Sequence, residues 1–519
     1  MAAAQEPRLA KSYGANVLLV VLTLFPGLIN TSAISLAAPV IGGDLRVAPD
    51  VAEALPLMSD AALAFGCVLA AEMTRRLEGR TLYFWLMGFS LATSLASASA
   101  PAFPVLLLAH VVHGLVAGML FIVVLPPLLT TFGSAKIAAT ATFLVPALFG
   151  AATLGPLVGG LVAAPGTWRL IFAAEVVVAF VALVLSPQIL SRRPPPAADE
   201  PIDRYALLTS ALGSLLIYFG VGNLAGNDWR SPLAGGPVGA GILTYVALLI
   251  GEARKAQPLV PVRKLATSLA LVGTVATVVG SATFSALSQC FILTLLRIDG
   301  FDARATGLAL WPEFFAALVS GFLFGRMVTT KWVSLSGAIG LVFIALATLL
   351  ARFLAPVTAS DVGWLSAIAA FGAGLSVSPG LFVVTLSFER ALVGRAIALL
   401  NLFRLTGGFI SSPGIEHTIG SHVRDHLYAL DPAAASTIGD RGVRVFVTGR
   451  AVPHGEPLEM LRRALALGIT DAYLVIFVVA LVGIAAIAMI LLATHLRLRA
   501  PDFRRFDRGQ PALEAPVLV

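Results

Sequence analysis

Charge is what this chain has least of. Asp, Glu, Lys and Arg make up only 12% of its 519 residues, about half the share of a soluble domain. Hydrophobic residues reach 58% and the mean hydropathy is +0.91. Together these values exclude a water-soluble globular protein and leave one that crosses a membrane many times. Cysteine is nearly absent. Cys67 and Cys290 both fall in apolar runs, which excludes a disulfide framework and a thiolate metal site. Enzyme signatures are missing as well. His110 and His113 have the i, i+3 spacing of two ligands on one helix face, but no H-E-x-x-H and no nearby cysteine completes a metal set. No glycine-rich run is followed by Lys-Ser/Thr, so nucleotide-driven chemistry is not indicated. The expectation is a protein that is not an enzyme, with no cofactor and no metal. The net charge of +7 would suggest nucleic acid in a soluble domain. Here the basic residues lie between apolar runs and read as topology signals, so no nucleic-acid partner is expected.

What is present is a series of apolar runs. Fourteen are long enough to span a bilayer, near 17–41, 52–74, 81–99, 103–125, 136–163, 168–187, 205–224, 234–251, 267–295, 304–328, 332–355, 361–388, 392–413 and 469–494. The first is too long for a signal-peptide core and reads as a retained anchor. Residues 1–16 form a tail, and 17–187 a six-span N-terminal half. Residues 188–266 form a linker carrying two extra spans; its start, Ser191–Pro201, holds prolines and charges that do not suit lipid. Residues 267–494 make a six-span C-terminal half with a long outer loop at 415–468, and 495–519 a second tail. Most Lys and Arg fall on the side that carries both tails, which predicts cytoplasmic termini.

The segment from Gly150 to Phe172 organises the chain. Gly150, Gly155, Gly159 and Gly160 share roughly one face of a helix and let another backbone approach closely. Pro156 removes an amide donor and bends the segment. This stretch resembles the antiporter motif of fifth spans in the major facilitator superfamily. Trp168, Arg169 and Phe172 match the W-R-x-x-F that follows it in the fourteen-span drug:proton antiporters of the EmrB/QacA type. Asn227-Asp-Trp229 and Glu252…Pro258-Leu-Val resemble the inserted pair of that family, and Gly307–Pro312 and Asn401–Gly408 resemble second-half motifs, the latter with Arg404. The resemblance implies an all-α integral membrane fold of two six-helix halves plus two inserted helices. It also implies proton-coupled efflux of amphipathic or hydrophobic small molecules by alternating access, in the bacterial cytoplasmic (inner) membrane. Two other readings stay open: a uniporter or differently coupled transporter of a specific metabolite, and a transport-inactive scaffold or sensor. The loop 415–468 either docks a periplasmic adaptor protein or caps the cavity.

The departures from the family pattern locate the candidate site. Asn30 replaces the usual span-one acid, and His110 and His113 stand where span four usually carries R-x-x-Q-G. Losing one member of a buried ion pair strands a charge, so Asn30 and His110 read as a compensated pair. Asp60 takes the place of a span-two tyrosine at similar depth, and either carries protons or hydrogen-bonds His110 as structural glue. Glu175 and Glu313 are further acids within spans. Burial favours the neutral forms of carboxyl and imidazole alike, which makes Asp60, His110, Glu175 and Glu313 the candidates for proton coupling. Asn30, His113 and Arg404 are candidates for the substrate cavity. Gly150, Gly155, Pro156, Gly159 and Gly160 would form the gating seam. Glu72, Arg76, Gly79 and Arg80 stand at the loop after span two, where the family has G-x-L-A-D-R-x-G-R, and would form a rim network or a solvated loop. Asp471 matches a family acid and would cap the last span.

Overall fold

A computed structural model describes residues 9–192, 195, 200–266, 268–447, 456–493 and 500–513. Among them, fourteen helices are long and apolar enough to cross a membrane. They are span 1 (Tyr13–Asp44), span 2 (Ala54–Arg76), span 3 (Gly79–Ala98), span 4 (Phe103–Thr131), span 5 (Ser134–Val162), span 6 (Arg169–Ile189) and span 7 (Arg204–Gly222). Then come span 8 (Gly235–Arg254), span 9 (Leu269–Ile298), span 10 (Ala303–Met327), span 11 (Ser336–Phe353), span 12 (Ala359–Ser387), span 13 (Arg390–Leu430) and span 14 (Leu458–Ala493). Helices are the form such runs must take, because lipid offers no partner to a free amide or carbonyl. Three of the starts are capped by short polar side chains as follows: Asp203 accepts from Ala206 N and Asp302 from Ala305 N, and Thr358 with Asp361 forms a capping box. An even number of crossings returns both described ends to one face, here the terminal face. The other is the far face.

Spans 1–6 and 9–14 form the two halves, while spans 7 and 8 pair with each other and lean on spans 2 and 13. The halves meet where span 5 packs on span 10, and the glycine seam makes that contact two-sided. A Cβ on Gly155 would fall 2.3 Å from Ser32 Cβ, and one on Gly159 2.4 Å from Ala33 O, both on span 1. A Cβ on Gly160 would fall 2.4 Å from Ala303 O, and one on Gly307 2.5 Å from Pro156 O, so this edge meets span 10. Gly150 faces the Phe314 ring of the same span. Beyond the seam, Trp168 Nε1 (2.8 Å) and Arg169 Nη1 (3.0 Å) both donate to Asp44, and Arg169 Nη2 donates to Ala100 O. The W-R pair thus ties span 6 to the far ends of spans 1 and 3.

The segment read as a loop at 415–468 is largely helical where it is described. Span 13 continues to Leu430, two helical stretches that meet in a kink at Gly439 follow over Pro432–Val447, and the helix of span 14 starts at Glu456. Ile415, Ile419, Val423 and Leu427 recur every fourth residue and are buried, and Gly468 packs against Ile419 and Val423. Hydrophobic burial therefore carries span 13 well beyond the apolar run 392–413. Asp471 lies inside span 14 and caps nothing; it sits 2.8 Å from His426 Nε2 and 3.6 Å from His422 Nδ1.

On the terminal face, residues 500–513 lie across both halves. Asp507 accepts from Ser134 N (2.8 Å) and Ser134 Oγ (2.6 Å), at the start of span 5. In the other half, Ala512 N and Leu513 N donate to Leu386 O at 2.8 and 2.9 Å, and Arg390 N donates to Gly509 O. Phe506 is fully buried beneath the Arg390 guanidinium. Part of the linker 191–201, all of 448–455, and parts of both tails lie outside the described residues.

Candidate functional site

A cavity of about 1160 Å³ lies between the halves, ample for a drug-sized molecule. It runs from Leu24 and Phe149 deep in the bundle to Asp228, Arg424 and Val447 at the far face. Most of its wall is apolar, and a few ionisable groups project into it.

The first polar group lies in the N-terminal half. Glu175 of span 6 accepts from Asn30 Nδ2 of span 1 at 3.0 Å. Its other oxygen lies 3.0 Å from His113 Nε2 of span 4, an ion-pair distance with off-line hydrogen-bond geometry. His113 Nδ1 is 3.3 Å from Thr93 Oγ1. The His110 ring lies parallel to His113, centroids 6.2 Å apart, and meets the Phe172 ring edge-on. Asn30, His110, His113 and Glu175 are all buried. The expected pairing of Asn30 with His110 is not direct: Glu175 and His113 stand between them. His110 itself is set back from the cavity, whereas His113 and Glu175 line it.

Asp60 does not hydrogen-bond His110. Its neighbour Ser59 instead donates to the backbone carbonyl His110 O at 3.2 Å. One residue on, a turn of about 100° along the helix, Asp60 enters the cavity within electrostatic reach of Arg404 on span 13. Arg404 Nε donates to Asn401 Oδ1 at 2.9 Å. Glu313, on span 10, also lines the cavity, but its Oε1 has no hydrogen-bond partner among the described residues although the residue is 1% exposed.

The seam contributes little to this cavity, which Pro156 alone of its five residues lines. Glu72 and Arg76 do form a rim network. Glu72 is fully buried and lies 2.6 Å from Arg76 Nε and 3.2 Å from Arg75 Nη1. Arg75 and Arg76 also hold Glu200 of the linker. Gly79 and Arg80 open span 3 and take no part in that network.

Sequence reasoning passed over Asn401 and Tyr218. Asn401 stands i−3 to Arg404 on one helix face, a spacing that signals such a contact. Tyr218 belongs to inserted span 7 and lines the cavity; a phenol among aliphatic residues of a span was its only signal.

The geometry is that of a central cavity enclosed by two helical halves. The model of one family, the Major Facilitator Superfamily, matches residues 20–412. The chain belongs to the Major Facilitator Superfamily. Within the superfamily it is 26% identical to the cephamycin export protein CmcT of Amycolatopsis lactamdurans, over 82% of this chain and 88% of that one. It is 25% identical to the multidrug efflux pump LfrA of Mycolicibacterium smegmatis, over 88% of this chain and 93% of that protein. These relatives and the fourteen spans agree with the fourteen-span drug-antiporter type. Among solved structures, a POT family transporter in complex with a thioalcohol-conjugated peptide aligns with a TM-score of 0.58 at 12% identity, covering 93% of this chain and 98% of that one. The proton:xylose symporter XylE aligns with a TM-score of 0.52 at 14% identity, over 88% and 94% of the two chains. At such identities the likeness is one of fold. This superfamily member is accordingly an integral membrane transporter.

Proposed function

We propose that the protein exports amphipathic or hydrophobic drug-like small molecules in exchange for protons, by alternating access across the bacterial cytoplasmic membrane, with both termini in the cytoplasm. The observation that carries this reading is the cavity between the halves, apolar over most of its wall and furnished with Asp60, Glu175 and Glu313. An apolar wall accepts a hydrophobic body with little directional demand. The acids give a proton somewhere to bind at the level where substrate sits. Protons entering from the far face load the acids and His113, and substrate leaves toward that face. The reading is supported by the export and efflux roles printed in the names of CmcT and LfrA. Val443 and Val447 line the cavity from the helix Pro432–Val447, which favours a capping role for this region over an adaptor dock.

The test is transport in proteoliposomes with an imposed pH gradient. Fluorescent drug analogues should move uphill and stop when the gradient is collapsed. Asp60→Asn, Glu175→Gln and Glu313→Gln are then compared in the same assay. If all three variants still pump against a gradient, carboxylate-based coupling fails. If the parent protein transports equally well without a gradient, it is a uniporter, the second reading that Asn30 motivates.

A further inference from the structure

Four polar side chains from three elements converge in the cavity and are left without one another's full support. Tyr218 is 2% exposed, and its hydroxyl has no hydrogen-bond partner among the described residues. Its ring lies parallel to Phe409 at 4.0 Å between centroids. The same hydroxyl stands within electrostatic reach of Asp60 and Arg404. Asn401 is 1% exposed and its Nδ2 is unpartnered. The bond from Arg404 to Asn401 Oδ1 settles which end of that amide is the free donor. Among the described residues Arg404 has no other hydrogen-bond partner and the Asp60 carboxylate has none; the two come from opposite halves and do not close to ion-pair contact. Buried donors without acceptors are rare in folded proteins. An acid and a base that are half-buried in the wall of one cavity and not paired with each other each attract a counter-charge from whatever enters it.

We infer that Arg404, Asn401, Tyr218 and Asp60 form a binding site for an amphoteric organic compound built on a planar ring. The acid group accepts hydrogen bonds from the Arg404 guanidinium, the Asn401 amide and the Tyr218 hydroxyl. The cationic group pairs with Asp60. The ring lies against the half-buried Phe409, at whose back Tyr218 is already stacked. Such a ligand joins span 2 to span 13 through its two charges. A proton arriving on Asp60 removes one of the two, which releases the ligand. The site names the substrate class of the export reading and rests on it. It also gives the inserted span 7 a direct part in recognition.

The experiment uses the full chain in lipid nanodiscs without a gradient, and three xanthene dyes followed by fluorescence anisotropy. Rhodamine B carries an acid and a cation, its ethyl ester only the cation, and fluorescein only acidic charge. Rhodamine B should bind about tenfold tighter than either of the others, as expected for one well-placed charged contact. Arg404→Gln should lose about tenfold for rhodamine B and nothing for the ester. Asp60→Asn should lose about tenfold for rhodamine B and nothing for fluorescein. Tyr218→Phe keeps the stack and should lose about threefold, for the acid-bearing dyes only. Equal affinities in the parent protein, parallel losses across all three dyes, or no binding of any dye overturns the site. The same dyes are then offered to proteoliposomes under a pH gradient. Dyes that move uphill without preference sink the site and leave export standing. Selective binding with no uphill movement sinks export and leaves the site.

Discussion

Glu175 and Glu313 are the same residue type, each within an apolar span, one in each half, and both buried to 5% exposure or less. Their surroundings differ. Glu175 is the meeting point of Asn30 and His113, with His110 stacked behind. Glu313 has no such company, and its Oε1 faces no donor at all. Burial alone therefore says little about what an acid in a membrane span does. A carboxyl group hydrogen-bonded by an amide at one oxygen and at ion-pair distance from a ring at the other is held in place by what it holds. One without donors bears its desolvation uncompensated, and its proton or a passing ligand is the only relief available.

That contrast is open to breakage. The largest effect should come from Glu175→Ala, which strands the Asn30 amide and the His113 ring together. Removing one member of a buried paired group costs about 3–5 kcal/mol, read as a deep fall in the apparent melting temperature of the purified protein. An unchanged melting temperature would show that Glu175 is no hub. Asn30→Leu removes one hydrogen bond to the same acid and should cost about 1.5–3 kcal/mol. Combined with Glu175→Ala it should be non-additive by about 1 kcal/mol or more, whereas Asn30→Leu and His110→Phe should add within about 0.5 kcal/mol. Strong coupling between 30 and 110 would restore the direct pairing that their depths in the sequence suggest.

Glu313→Gln loses no partner and should leave the apparent melting temperature unchanged or raise it, because it removes an acid whose burial no donor offsets. A loss as large as that of Glu175→Ala would reveal a partner that forms in another conformation. The smallest effect belongs to an acid outside the membrane. The Ser134 hydroxyl and amide, with the Arg390 charge nearby, hold the Asp507 carboxyl below its ordinary value. A lowered value means that this contact is complete above the ordinary carboxylate range and is lost only as pH falls through the lowered one. Limited proteolysis of the 500–513 segment should stay constant from neutral pH to about pH 5 and rise below about pH 4. A rise already at pH 6 would contradict it.

The number of spans and the fold were legible because a run of about twenty apolar residues has few alternatives. The far-face helices were not, and the reason is visible in Ile415, Ile419, Val423 and Leu427. A stripe every fourth residue buries one face, while His417, Arg424 and Asp425 between them lower the average that a hydropathy window reads. For the site, the acids within spans stood out by their cost alone. Their partners did not. Asn30 and Glu175 lie 145 residues apart, and nothing in either local pattern names the other. Depth along a helix was legible and direction around it was not: Ser59 faces span 4 and donates to the His110 backbone carbonyl, while Asp60 lines the cavity. Tyr218 was missed because an inserted helix reads as an addition to the bundle, whereas it forms part of the cavity wall.

The segment 500–513 reaches from Ser134 at the start of span 5 to Leu386 at the end of span 12. It follows every span in the chain, so during synthesis it leaves the ribosome after all fourteen have been made. The two halves are therefore fastened to each other on the terminal face only once both exist. A polypeptide stopped by a premature codon after Ala493 and before Asp507 carries every span and lacks their fastening.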